Sequence, residues 1–247
     1  MNLKDIFLHT TLVSHVSLVS NFIKTDFVSI PKVSETSSYP ISDAQRRLWV
    51  LSQFEGGLIA YNMPSRVYLK SLDVESFKRS VYSVIARHES LRTVFREDSE
   101  GEVRQVIIST DSLDFTLKEE DFRVSDDVME AVDIYVREDS YVAFDLECGP
   151  LFRASLLRVS DSDYVFYYNM HHIISDGWSM EVLSGDVFSY YEAYRVNSEP
   201  LVEPLRIQYK DYAVWQLSQL EDGSYSSHRD YWLDRCLLYT SPSPRDS

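Results

Sequence analysis

Residues 164–170 read Tyr164-Val165-Phe166-Tyr167-Tyr168-Asn169-Met170, seven positions without a charge and rich in β-branched and aromatic side chains. Such a run predicts a central strand covered on both faces, because a half-exposed strand would alternate apolar with polar residues. Asp176-Gly177 breaks the run, and Leu183, Val187, Tyr190, Tyr191 and Tyr194 then recur at the period of an amphipathic helix. The stretch between, Met170-His171-His172-Ile173-Ile174-Ser175-Asp176-Gly177-Trp178-Ser179, lies where a strand ends and a loop begins, a frequent location of chemistry.

The rest of the chain alternates in the same way. Leu12, Val16, Val19 and Ile23 share one helical face, and residues 25–38, with Pro31 and several Ser and Thr, read as a linker. Ser42 and Gln45 have capping-box spacing, with Ala44, Leu48 and Leu51 as the expected buried stripe of the helix they open. Residues 61–70 read as a strand around Val67 and Leu69. Asp73 then caps a helix whose Phe77, Val81, Val84 and Ile85 form an apolar face. Its charged end, Arg87-His88-Glu89, reads equally as a solvated helix terminus or as part of a site, while Arg92 opens the next strand. Residues 103–108 and 113–117 are expected to form a hairpin or meander, and 125–140 a helix with Val128, Val132 and Tyr135 inward. Two strands, 151–159 and 164–170, are joined by the polar turn Ser160-Asp161-Ser162-Asp163, and no internal repeat shows.

Composition narrows the function classes. With 247 residues, 44% of them apolar, the chain can bury a core in one or two units. Its 39 acidic against 24 basic side chains, with no dense Lys/Arg tract, argue against nucleic acid or an anionic membrane as partner. No apolar run reaches the roughly 18 residues of a membrane span. The first 24 residues, interrupted by Asp5, His9, Thr10, Thr11, Ser14 and His15, are too polar for a signal peptide. Two cysteines build no disulfide framework and fit a reducing cytoplasm. Residues 236–247, from Cys236 to Ser247, look like read-through of a sequencing adapter, which leaves Cys148 as the native cysteine. No metal site is expected. Adjacent histidines in an extended segment point to opposite faces, and no further His or Cys cluster completes a coordination shell.

Spelled His-His-x-x-x-Asp-Gly, residues 171–177 resemble the active-site motif of the condensation domains of nonribosomal peptide synthetases and their chloramphenicol-acetyltransferase-like relatives. Ser42-Asp43-Ala44-Gln45-Arg46-Arg47-Leu48-Trp49-Val50-Leu51 resembles the first core motif of those domains, and Arg87-His88-Glu89-Ser90-Leu91-Arg92-Thr93-Val94-Phe95 the second. Phe144-Asp145-Leu146, Gly149-Pro150-Leu151 and Arg153-Ala154 resemble the entry into the central sheet, and Tyr209-Lys210-Asp211-Tyr212-Ala213-Val214-Trp215 resembles the fourth motif. Leu3-Lys4-Asp5-Ile6-Phe7-Leu8-His9 resembles the close of a peptidyl carrier domain without its attachment serine. The implied organisation is a carrier remnant at 1–24, a linker at 25–38, an N-terminal condensation lobe with the start of the second lobe at 39–235, and non-native sequence at 236–247. The implied fold is α/β: a chloramphenicol-acetyltransferase-like two-layer sandwich, with a mixed sheet, flanking helices and one lobe of two.

The resemblance also implies a reaction, attack by the amine of a carrier-bound aminoacyl group on a carrier-bound peptidyl or acyl thioester. It places the catalytic set at His172, His171, Asp176 and Gly177. His172 would accept the amine's proton or hold the amine, and His171 would pack structurally. Asp176 would order the loop through an ion pair with Arg92, or with Arg87 in second place, and Gly177 would permit the turn. Trp178 and Ser179 are candidates to line the substrate tunnel. No cofactor or metal is expected on this lobe. The substrates would arrive on 4'-phosphopantetheine arms of upstream and downstream peptidyl carriers, with an adenylation domain in the same synthetase and no nucleic-acid or membrane partner. Two alternatives stay open: a stand-alone acyl-CoA-dependent O-acyltransferase with the same motif, and a non-catalytic lobe that docks carriers. Ile174-Ser175-Asp176-Gly177-Trp178-Ser179 resembles the ordinary peptide-bond-forming type rather than epimerising or cyclising variants. The lobe by itself is expected to be catalytically silent.

Overall fold

The structure is a computed structural model that describes residues 10–21, 29–54, 56–223 and 225–237. It divides into two compact units, residues 1–30 and 31–247. In the first, helix α1 (Leu12–Asn21) opens where the Ser14 backbone N–H donates to Thr11 Oγ1 at 3.3 Å. Leu12 and Val16 of its predicted apolar stripe are exposed. Ile23 and the carrier-like stretch 3–9 lie outside the described residues, as do residues 238–247 of the suspected adapter.

The second unit runs β1 (Tyr39–Pro40), α2 (Asp43–Ser52), the short α3 (Gly57–Ala60), β2 (Asn62–Leu69), α4 (Val74–Arg87), a 3-10 turn (Glu89–Arg92), β3 (Thr93–Glu97) and β4 (Val103–Ile107). It continues with β5 (Lys118–Asp121), α5 (Val128–Ser140), β6 (Phe152–Arg158), β7 (Tyr164–His171), α6 (Gly177–Arg195), α7 (Tyr209–Glu221) and α8 (Ser226–Leu237). Strands β1, β4 and β3 form an antiparallel three-stranded sheet in that order. The other sheet has the order β2-β7-β6-β5 and is mixed, its outer strand β5 running parallel to β6.

Strand β7 is buried at all eight positions, as its uncharged sequence predicts. Its two faces differ. Phe166, Tyr168 and Met170 join Phe77, Val81, Val84 and Ile85 of α4 and Val187 and Tyr191 of α6 in one apolar cluster. Within it Phe77 meets Phe166 edge-to-face at 4.9 Å, a favoured aromatic geometry. Val165 and Tyr167 face the other way, against Val132 of α5. Among the described residues no helix is long and apolar enough to cross a membrane.

Several local expectations need correction. Residues 113–117 form no strand: Leu113, Phe115 and Leu117 pack into the main core as an irregular segment, and the strand is the charged stretch that follows, β5. Helix α5 begins at Val128 rather than 125, because Asp127 caps it by accepting from the backbone N–H groups of Met129 and Glu130. The buried positions of α2 are Gln45, Trp49 and Ser52, whereas Ala44 and Leu51 are exposed. The capping box that opens α2 forms as expected, Ser42 Oγ taking the Gln45 backbone N–H and Gln45 Oε1 the Ser42 N–H.

Candidate active site

The end of β7 is pinned on both sides. The His171 backbone N–H donates to the Leu151 carbonyl before β6 at 3.0 Å, and the His172 N–H donates to the Tyr61 carbonyl before β2 at 2.9 Å. Gly149, which shapes the entry to Leu151, takes φ +66°, and a Cβ there would stand 2.7 Å from Val94 Cγ1. The chain then turns back, with the Ile174 N–H donating to the His171 carbonyl at 3.1 Å. Adjacent side chains at the end of a strand diverge, and these two reach opposite environments.

His171 is fully buried. Its Nδ1 accepts the Ile173 backbone N–H at 3.1 Å, and its ring lies against Tyr61 and the edge of Phe144, each with centroids 6.3 Å away. Burial, and secondarily the neighbouring His172, push its pKa down to about 4, so the ring is neutral at physiological pH. His172 is exposed, and its imidazole has no hydrogen-bond partner among the described residues.

Asp176 occupies the N-cap of α6. Its Oδ1 accepts the Ser179 backbone N–H at 2.8 Å and the Ser179 hydroxyl at 2.6 Å. Those two bonds hold its carboxyl below the usual carboxylate range, with His172 acting in the same direction. The expected ion pair with Arg92 is not formed. The Arg92 guanidinium is turned to the carbonyls of Ile85, Ala86 and Ile108, where it ties the end of α4 to the residue that follows β4. Arg87, the second candidate, donates to Asp186 Oδ2 at 2.8 Å. Asp176 therefore orders its loop as a helix cap, a local partner satisfying an orphan helix N–H.

At Gly177 the φ is not left-handed, and a Cβ built there meets nothing within 4 Å, so the position opens on free space at the start of α6. Trp178 is 76% exposed beside it, while the Ser179 hydroxyl is committed to Asp176.

The other sequence motifs bond to one another and to α6, and one of them, through Gln45, reaches this loop. From α2, Gln45 Nε2 donates to the Ile173 carbonyl at 3.5 Å, and Ser42 Oγ meets the Tyr209 hydroxyl of α7 at 2.9 Å. Burial pushes the Tyr209 phenol up. Arg87-His88-Glu89 is not a solvated helix end. His88 Nε2 lies 2.7 Å from the same Asp186 oxygen that pairs with Arg87, and Lys210 pairs with Glu89 at 2.9 Å. Burial lowers the His88 pKa despite that carboxylate. Asp211, also fully buried, takes the backbone N–H groups of Gln208 at 2.7 Å and Val33 at 2.8 Å.

Sequence reasoning missed one centre entirely. Asp139, near the C-terminus of α5, accepts from Arg153 Nε at 3.0 Å, the Tyr167 hydroxyl at 2.8 Å and Asn169 Nδ2 at 3.1 Å. Arg153 in turn lies 3.8 Å over the Phe144 ring that backs His171. The one signal available was Asn169 within an otherwise apolar strand.

Comparison with known proteins agrees with this geometry. The condensation domain family model matches residues 35–240. Malpibaldin synthetase of Mortierella alpina is 37% identical over 82% of the chain and 4% of its own length. Chondramide synthase cmdD of Chondromyces crocatus is 41% identical over 78% of the chain and 5% of its own length, so the chain spans a small part of the curated relatives it matches. In fold it is similar to the starter condensation domain of rhizomide synthetase RzmA, with a TM-score of 0.76 at 22% identity over 84% of this chain and 50% of that one. With a histidine displayed at the end of the central strand and the family match running through both sheets, the chain belongs to the condensation domain family of the nonribosomal peptide synthetases.

Proposed function

We propose that the domain containing this lobe forms an amide between two carrier-tethered substrates, with His172 as the residue that meets them. The observation that carries this reading is the contrast at the end of β7: the His172 backbone is locked to Tyr61 while its ring is exposed with no hydrogen-bond partner among the described residues.

The chemistry asks for orientation more than for force. The aminoacyl nitrogen attacks the thioester carbon, a C–N bond forms, the C–S bond breaks, and the proton lost by the amine ends on the departing thiolate. An α-amino group with a pKa of about 7.7–8.0 is already partly neutral, so His172 has only to take the proton or hold the amine by a hydrogen bond. Holding two tethered reactants in line can remove several kcal/mol of barrier. Asp176 stays ionised at the helix cap and fixes the loop from which His172 projects. The substrates arrive on 4'-phosphopantetheine arms of carrier domains, supplied by an adenylation domain of the same synthetase in the cytoplasm, and Trp178 lines their path.

The test places His172→Ala in the complete condensation domain and follows transfer between loaded carriers by intact-protein mass spectrometry. The variant is expected to leave the donor on its carrier. Near-normal product would overturn the assignment.

A further inference from the structure

Three buried side-chain atoms at the end of the central sheet have no hydrogen-bond partner among the described residues: Asn62 Oδ1, Asn169 Oδ1 and His171 Nε2. They belong to one place. Asn62 and His171 are direct cross-strand partners on β2 and β7, and Asn169 stands two residues before His171, on the same face of the sheet. All three side chains lie against the segment that closes α5. Asn62 reaches the Ser140 and Val142 carbonyls, Asn169 reaches Asp139, and His171 packs on Phe144.

The partners that these groups do have fix what the orphaned atoms are. Asn62 Nδ2 donates to two carbonyls, at 2.8 and 2.9 Å, and Asn169 Nδ2 donates to a carboxylate at 3.1 Å. Carbonyls and carboxylates only accept, so neither amide can be turned over, and both orphaned oxygens are acceptors. His171 Nδ1 accepts the Ile173 N–H at 3.1 Å, and the ring is neutral, so its single proton sits on Nε2. The three orphaned atoms are thus one donor and two acceptors on neighbouring positions of one sheet face. No two-way pairing satisfies all three, and a buried polar group left unpaired costs more than a made hydrogen bond contributes.

We propose that one internal water molecule is bound at this corner, accepting from His171 Nε2–H and donating to Asn62 Oδ1 and Asn169 Oδ1. Water has two protons to give and lone pairs to receive, which matches the set, and three protein partners are the usual complement of a buried water. The water makes His171, Asn62 and Asn169 a positioning unit. It fixes the tautomer and rotation of the His171 ring, the ring holds the Ile173 N–H, and the turn that displays His172 is held in consequence. None of the three touches substrate, and the inference stands whether or not the amide-forming reading of His172 is correct.

A high-resolution crystal structure of the full chain tests it directly. The expected result is an ordered solvent peak within hydrogen-bond distance of all three atoms. No peak, a peak that touches only one of them, or direct pairing of the three atoms with protein groups would overturn the proposal. In solution, long-range proton–nitrogen NMR of His171 is expected to show the Nε2-protonated ring with a cross-peak from that proton to a long-lived water. An Nδ1-protonated ring, or an Nε2 proton with no water contact, would refute it equally.

Discussion

The four-stranded sheet has two buried faces that are built on different physics. Toward α4 and α6, Phe166, Tyr168 and Met170 pack in a cluster of apolar and aromatic side chains, whose attraction is non-directional and scales with the area removed from water. Toward α5, Tyr167, Asn169 and Arg153 converge on one carboxylate, Asp139, through bonds that fix direction as well as distance. Alternate residues of the same strand serve the two faces, and His171, its last residue, and His172 just beyond it continue that alternation. The apolar face gives this unit its bulk stability. The polar face holds the last residues of β7, beyond which the His172 ring is displayed.

Asp139→Ala is the substitution that would break this contrast most sharply. It leaves Arg153, whose side chain is 20% exposed, without its counterion, removes the acceptor of the Tyr167 hydroxyl, and leaves Asn169 only the Asp139 backbone carbonyl. Removing one partner of a buried pair costs about 3–5 kcal/mol. On the opposite face Met170→Leu, a volume-conserving change, is expected to cost less than about 1.5 kcal/mol. Urea unfolding of the two variants measures both, and equal losses would erase the distinction between the faces.

A pH titration of stability sharpens it next. His171 is a base whose folded pKa, about 4, lies below its ordinary 6.5, because burial disfavours the charged ring. Between those values the unfolded chain binds a proton that the folded chain refuses. The contribution of neutral His171 is therefore complete above about 6.5, declines as the pH falls, and is lost below about 4. The gap corresponds to on the order of 3 kcal/mol. Asp176, held low by Ser179, acts in the same direction on acidification. The wild type is therefore compared with His171→Phe by denaturant unfolding across that range, and parallel pH curves would show that His171 is not the group responsible.

The smallest effect concerns the helix cap. Asp176→Ala should cost about 1 kcal/mol, the usual value of a lost N-cap. Since Arg92 is bonded to backbone carbonyls elsewhere, its replacement by Ala should add to that of Asp176 within about 0.5 kcal/mol in a double-mutant cycle. A clearly non-additive pair would restore the ion pair that the sequence led us to expect.

What the sequence made legible follows the same division. Strand β7, α4 and the Ser42 capping box could be read because each rests on local pattern: an uncharged run, a 3.6-residue stripe, a reciprocal cap. Strand β5 could not. Lys118-Glu119-Glu120-Asp121 is exposed at every position and is a strand only because β6 lies alongside it, whereas the alternating Leu113, Phe115 and Leu117 looked like a strand and are merely packed. The partner of Arg87 lies 99 residues away in a helix, and the three donors to Asp139 come from two strands. Directional contacts between distant elements leave no periodic trace, so the motifs were visible while the bonds that join them were not. Gln45 was placed as a cap but not as the donor to Ile173, which is why the buried stripe of α2 was drawn one position off.

The most direct test of the division between the two histidines is to measure stability and amide transfer on the same His172→Ala protein in the complete condensation domain. An exposed ring with no hydrogen-bond partner among the described residues should leave the urea unfolding midpoint unchanged when it is removed, while transfer between loaded carriers disappears. Transfer at the wild-type rate, or a loss of stability large enough by itself to explain the loss of transfer, would contradict the account.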